Sequence, residues 1–252
     1  MPKNKDISII YGRHPVVDAL RSGTPIDKVM LQQGIRGEME KELRHLCREE
    51  GVPMQVVPKE RLNKIVRGNH QGVIALQALI RYYRLEDVLP TVYERSEAPL
   101  IVLLDGVTDV RNFGAIARTA EASGAHALVI PQKNSAQINA EAMKTSAGAL
   151  ATIPVCRESS LIAAIEFLQL SGIKVLASSL EATKPLYELD LRQPAAFILG
   201  AEGEGISPAV ARAADEQFVI PQKGTTDSFN VSVAAGMMLY EAMRQRGRGM
   251  SE

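Results

Sequence analysis

Three short segments carry the side chains best suited to chemistry. They are Asp105-Gly-Val-Thr-Asp-Val-Arg-Asn112-Phe-Gly114-Ala-Ile-Ala-Arg118, then Gly200-Ala-Glu202-Gly203-Glu-Gly205, then Ile220-Pro221-Gln-Lys-Gly224-Thr-Thr-Asp-Ser228-Phe229-Asn230-Val-Ser232. A guanidinium such as Arg118 can steady charge developing on an oxygen or clamp a phosphate. Three glycines within six residues leave bare N–H and C=O groups for a ligand to approach. Each residue also has a plainer reading when taken alone. Asn112 can cap the helix that follows it, Arg118 can be a solvated helix charge, and Glu202 a turn residue. Ser228 or Asn230 can cap the final helix. At about 100° per residue, Asn112 and Arg118 point about 240° apart and do not share one stripe of a helix.

The motifs that are missing narrow the chemistry. No GxxxxGK[ST], HExxH or GxSxG occurs, and Ser171-Gly-Ile-Lys174 matches SxxK without its companion motifs. The glycine cluster at 200 runs GxxGxG rather than GxGxxG, has Pro208 where a third glycine would sit, and opens no long helix. Those departures weigh against a nicotinamide site. His14, His45, His70 and His126 are too scattered for a metal cluster. Cys47 and Cys156 form no CxxC, so neither zinc nor a disulfide framework is expected, as suits a reducing cytoplasm.

These segments must be positioned by a scaffold. The apolar runs Leu100 to Leu104, Ala127 to Ile130, Val175 to Ala177, Ala196 to Leu199 and Phe218 to Ile220 are continuous rather than alternating, the pattern of strands buried on both faces. Helices are predicted over Phe113 to Ser123, Ala140 to Gly148, Leu161 to Gln169 and Val231 to Arg244, with a short one after a capping Ser207 and Pro208. This is an α/β fold with a parallel sheet over residues 99–252, and such sheets bind ligands at the carboxyl ends of their strands. Residues 1–80 form a separate α/β module, with strands at Lys28 to Leu31, Met54 to Val57 and Val73 to Leu79 and helices at Pro15 to Arg21, Glu38 to Glu49 and Lys59 to Ile65. The polar stretch 81–98, with Pro90, reads as a linker without a strand. Val-Ile-Pro-Gln-Lys occurs at 129–133 and again at 219–223, which is either a reused strand exit or a coincidence.

The chain holds 29 basic and 29 acidic residues, but residues 1–85 carry 15 basic against 9 acidic. That imbalance suits a module that docks a polyanion, and equally a solvated surface. No segment has the length and apolarity of a signal peptide or a membrane span.

In order and spacing, N-x-G-x-x-x-R, then G-x-E-G-x-G, then I-P-x-x-G-x-x-x-S-x-N-V-S-V-A-A resembles the SpoU (TrmH) family of RNA 2′-O-ribose methyltransferases, within the SPOUT superfamily. The match runs from Leu100 to Arg246. Tyr11-Gly-Arg-His14-Pro-Val-Val-Asp-Ala-Leu20 and His70-Gln71-Gly72-Val73 resemble the substrate-binding extension of the RlmB-type branch, which acts on a guanosine of 23S ribosomal RNA. Related branches act on transfer RNA.

The resemblance implies a deep trefoil knot in the C-terminal domain, S-adenosylmethionine as cofactor, a homodimer, and no metal. By motif, the family's cofactor contacts fall on Gly200, Ile220 and Phe229, the last a position where the family usually has Leu. Arg118 would lie near the ribose 2′-hydroxyl and a phosphate, and in some family models it comes from the partner subunit. Glu202 and Asn112 would orient Arg118 and the loops, while Ser228 and Asn230 hold the third segment. With aromatic residues at 4% and no Trp, base stacking on an aromatic platform is not the expected mode of RNA capture. Arg13, Arg21, Lys64 and Arg67 are expected to dock RNA through phosphates. The other readings are a non-catalytic RNA-binding or ribosome-assembly protein on the same fold and a nicotinamide oxidoreductase.

Overall fold

The computed structural model describes residues 8–225 and 228–247. The chain divides into two compact units, Met1–Arg81 with Ile138–Ala140, and Tyr82–Gln137 with Glu141–Glu252.

The first unit runs β1 (Ile9–Tyr11), α1 (Arg13–Arg21), β2 (Ile26–Gln32), α2 (Glu38–Glu49), β3 (Met54–Val57), α3 (Lys59–Ile65) and β4 (Val73–Gln77). Its sheet has the order β1-β4-β2-β3. β4 is antiparallel to both neighbours, and β2 is parallel to β3. Side chains alternate across a strand, and this sheet is covered on both faces. Val29 and Leu31 pack with Val16, Leu20 and Leu43, while Met30 packs with Val57, Leu62 and Ile74. The predicted elements are present, joined by β1, whose three residues are too few to show a period.

The second unit adds β5 (Tyr82–Tyr83), α4 (Leu85–Glu94), β6 (Leu100–Asp105), α5 (Val110–Ala122), β7 (Ala127–Pro131), α6 (Ala140–Thr145), β8 (Val155–Glu158), α7 (Leu161–Leu170), β9 (Lys174–Ser178), β10 (Ala195–Gly200), α8 (Pro208–Ala213), β11 (Glu216–Phe218) and α9 (Val231–Gly247). Seven strands lie in the order β11-β9-β10-β6-β7-β8-β5, and every pair is parallel. From β6 the chain moves to β7 and β8, then crosses to β9 and returns to lay β10 beside β6. The connections from β6 and β10 thus leave in opposite senses, the topology at whose strand ends open parallel sheets bind ligands.

Several expectations need correction. The stretch 81–98 is no bare linker, since it holds β5 and α4. Leu85, Val88, Leu89 and Val92 are buried at i, i+3, i+4 and i+7. Pro90 is tolerated because it lies on the exposed face, where the carbonyl it leaves unbonded meets water. Asn112 does not cap α5; Asp109 does, accepting from the N–H groups of Arg111 and Asn112 at 2.9 and 2.8 Å. Ser207 makes no side-chain cap on α8. The two Val-Ile-Pro-Gln-Lys copies meet different neighbours: Val129 pairs with Leu103 and Cys156, whereas Val219 pairs with Pro185. No described helix is long and apolar enough to cross a membrane.

The last helix is tied down by side chains that reach backbone. Arg246 donates to the carbonyls of Ala98, Pro99, Leu191 and Gln193, at 2.7 to 3.0 Å. Gln245 accepts from Leu191 N–H at 2.9 Å and donates to Leu189 C=O at 3.0 Å. Burial draws the Arg246 guanidinium below its ordinary range, yet the carbonyl dipoles stand in for a carboxylate. Both cysteines are free and buried.

Two outcomes follow from these contacts. Arg246→Met should lower the unfolding free energy by about 3 kcal/mol in a denaturant titration, and Arg246→Lys should not rescue it, because an ammonium cannot span carbonyls in a planar fork. Burial pushes the Cys47 thiol up to about 12 and also raises Cys156. At pH 8 a thiol-disulfide reagent should therefore label the native protein about a hundredfold or more slower than the unfolded chain.

Candidate active site

The site begins where β6 and β10 end side by side, with Gly200 in register with Asp105. A Cβ on residue 200 would lie 2.0 Å from the carbonyl carbon of Gly205 and 2.2 Å from the nitrogen of Ile206. Only glycine admits that return of the backbone. The turn between is closed by reciprocal bonds, Ala201 N–H to Gly205 O at 3.0 Å and Gly205 N–H to Ala201 O at 2.8 Å. Gly203 and Gly205 take positive φ, 86° and 71°, a conformation that suits glycine. Asp105 Oδ2 then accepts from Ser207 N–H at 2.7 Å, fastening the exit of β6 to the far side of the turn.

Side-chain amides join the three segments. Asn112 Nδ2 donates to Glu202 Oε2 at 3.3 Å, and Asn112 Oδ1 accepts from Asn230 Nδ2 at 3.1 Å. Asn230 Oδ1 accepts from Ser232 N–H at 3.0 Å and from Ser232 Oγ at 2.6 Å. Asn230 thus caps α9 and also belongs to the site. A carboxylate on one side and an amide on the other leave the Asn112 amide one orientation that satisfies both. Gly114, also in the first segment, has a packing role, since a Cβ there would meet Ala142 O at 2.8 Å and Thr145 Cβ at 2.8 Å.

Other expected residues stand apart from this chain of bonds. Arg118 is exposed on α5. Glu202 and Asn112 bond to each other, and among the described residues neither orients Arg118. Ser228 is exposed, and Ile220 and Phe229 are half-buried. Thr226 and Asp227 of the third segment lie outside the described residues, as does the tail 248–252.

In the first unit, Arg13 and Gln71 meet, Arg13 N–H donating to Gln71 Oε1 at 3.0 Å. Arg21 is exposed, but it is paired with Glu42 at 2.6 Å and is a poor phosphate ligand while so engaged. Lys64 and Arg67 are exposed. Asp105 and Asp109 were not singled out as site residues. A carboxylate at the exit of a central strand and another three residues before Asn112 were the available signals. Among the described residues, no group of three or more His, Cys, Asp and Glu is placed to hold a metal ion.

Residues 99–240 match the SpoU rRNA Methylase family, and residues 9–83 match the RNA 2′-O ribose methyltransferase substrate binding domain. The chain is 33% identical over 238 residues to YacO of Bacillus subtilis, assigned to the TrmH family of tRNA/rRNA methyltransferases, covering 94% of this chain and 95% of that one. It is 36% identical over 243 residues to an uncharacterized tRNA/rRNA methyltransferase of Synechocystis, covering 96% of this chain but only 63% of that longer protein. Among solved structures it is similar to the SpoU methyltransferase AviRb from Streptomyces viridochromogenes in complex with AdoMet. The TM-score is 0.61 at 25% identity, over 96% of this chain and 92% of that one. With its parallel sheet, its glycine turn and its three joined segments, this chain belongs to the SpoU (TrmH) family of tRNA/rRNA methyltransferases.

Proposed function

We propose that the protein transfers a methyl group from S-adenosylmethionine to a ribose 2′-hydroxyl of structured RNA, with a guanosine of 23S ribosomal RNA as the target. The observation that carries this reading is the bonding of Glu202, Asn112 and Asn230 across three remote segments at the strand ends. The residues present fit the cofactor. The backbone between Gly200 and Gly205 has no side chain at three of its six positions, and half-buried Ile220 and Phe229 supply apolar surface for an adenine. When bound, S-adenosylmethionine supplies a methyl group already activated on a sulfonium, so the protein's task is alignment and proton removal. Alignment alone contributes roughly 7 to 11 kcal/mol in well-oriented reactions. The knot of the SPOUT fold belongs to this proposal, formed by the chain that re-enters around Gly200.

Arg118 clamps a phosphate and stabilises the developing alkoxide, and the proton leaves to water or phosphate. A guanidinium is too weak a base to take it. Arg118 is exposed and, among the described residues, takes no part in the Asn112 bonds; it serves the pocket of a second copy. One feature supports a homodimer: the exposed apolar residues Val233, Tyr240 and Met243 lie along one side of α9, which packs on the helix that carries Arg118. The N-terminal unit docks the RNA, with Arg13, Lys64 and Arg67 contacting phosphates in the cytoplasm.

A methyl-transfer assay on unmodified 23S ribosomal RNA and transfer RNA, followed by mapping of the alkali-resistant linkage, tests the reading. Transfer RNA as the sole acceptor would move the target to the other branch. Cofactor binding without transfer to any RNA would favour the non-catalytic reading, and binding of NAD instead would end the proposal. Arg118→Ala should cut kcat by about a hundredfold or more at unchanged cofactor affinity. Mixing it with Asn112→Ala protein should restore activity, since a mixed dimer regains one intact site only if Arg118 acts across the interface. Asn112→Ala alone should raise the cofactor Kd about tenfold by calorimetry and cost about 1 kcal/mol of stability, because it removes two side-chain hydrogen bonds that are partly open to water.

A further inference from the structure

The N-terminal unit contains an open cavity of about 650 Å³ whose lining includes Arg13, His14, Lys59, Asn63, His70 and Gln71. A strained turn shapes it. Gln71 and Gly72 both take positive φ, 50° and 79°, and a Cβ on Gly72 would fall 2.3 Å from Ile35 Cδ1. A non-glycine residue at positive φ is uncommon and stores backbone strain. Behind the turn, His70 is only 5% exposed. Its Nδ1 accepts from Gly72 N–H at 2.9 Å, so the ring proton resides on Nε2 and is donated to Asn63 Oδ1 at 2.8 Å. That bond fixes the orientation of the Asn63 amide and leaves its Nδ2 donors uncommitted among the described residues. Gln71 is held in the same way, because Oε1 accepts from Arg13 N–H at 3.0 Å.

The cavity therefore offers amide donors of set direction together with the charges of Arg13 and Lys59, and no carboxylate among the described residues lines it. At its edge is Tyr11, 44% exposed, whose ring is 3.2 Å from the place of a Cβ on Gly68, a lining residue. Cations suit a phosphodiester, fixed N–H donors suit the carbonyl edge of a base, and an exposed ring suits stacking.

We propose that this cavity seats one nucleotide of the RNA substrate, splayed from its neighbours. Arg13 and Lys59 hold its phosphate, Asn63 and Gln71 donate to a keto-bearing base, and Tyr11 stacks on it. The assignment deepens the RNA methyltransferase reading and rests on it for the identity of the polymer. His70 is a positioning residue that acts through Asn63.

The test uses the full chain with transcripts of unmodified 23S ribosomal RNA and transfer RNA. Ultraviolet cross-linking and peptide sequencing should place the cross-link on Tyr11 or within residues 63–72. Tyr11→Ala should weaken binding about tenfold, with Tyr11→Phe close to wild type. Lys59→Gln should lower the slope of log K against log salt by about one, a change that loss of folding alone does not mimic. Thermal unfolding and cofactor calorimetry check that each variant is intact. Equal binding by the Phe and Ala variants, an unchanged salt slope, or cross-links confined to other segments would overturn the proposal. Tight binding of guanosine 3′,5′-bisphosphate, with RNA affinity unaffected by the variants, would assign the cavity to a free nucleotide instead. If the wild-type chain fails to bind S-adenosylmethionine while cross-linking persists at the cavity, the methyltransferase reading falls and this one stands.

Discussion

The backbone of Gly205 and Ile206 occupies the space where residue 200 would carry a side chain, and the site is organised by that close approach. Because the turn can fold back against the end of β10, the next residues run past the neighbouring strand, and Asp105 can take the Ser207 N–H. Glu202 is then displayed at the tip of a closed turn beside α5. A side chain at position 200 would push this backbone away and undo those relationships together.

Amide side chains translate that backbone constraint into a site. Each bond in the series from Glu202 through Asn112 to Asn230 is partly open to water and worth about 1 kcal/mol, so stability of the fold rests on the buried strands instead. Leu100 to Leu104 and Ala195 to Leu199 are almost entirely inaccessible, and α5 packs along α9 beside them. The amide bonds contribute direction. A carboxylate, two amides and a helix cap each leave few alternative partners for the next, which is how loops far apart in the chain come to hold one geometry.

The central strands were legible because they are buried on both faces, so their apolar runs are unbroken. Other elements were hidden for physical reasons. Val155–Glu158 carries Arg157 and Glu158 in an interior strand position, and Arg157 lies 3.2 Å from the centroid of the Tyr82 ring. Paired cationic and aromatic surface of that kind does not register as a strand pattern. Pro90 disguised α4, although the spacing of Leu85, Val88, Leu89 and Val92 was available. The cap of α5 was shifted by three residues because Asp109 and Asn112 are both competent cap residues, and nothing local chooses between them.

Types and order of the reactive residues were written in the chain itself: an arginine on a helix, a glutamate among glycines after a strand, and an asparagine opening the last helix. Those features identify a family and a place in the fold, because glycine turns and unbroken apolar runs are set by neighbouring residues. Which of these groups touch was decided only in three dimensions. Asn112 and Asn230 are 118 positions apart, and hydrogen bonds of a few ångströms depend on strand register and helix rotation, quantities that no local spacing encodes. For the same reason Arg118, among the described residues, does not bond the partners expected for it, and Tyr11, Asn63 and His70 gather around a cavity that their separate places in the sequence do not announce.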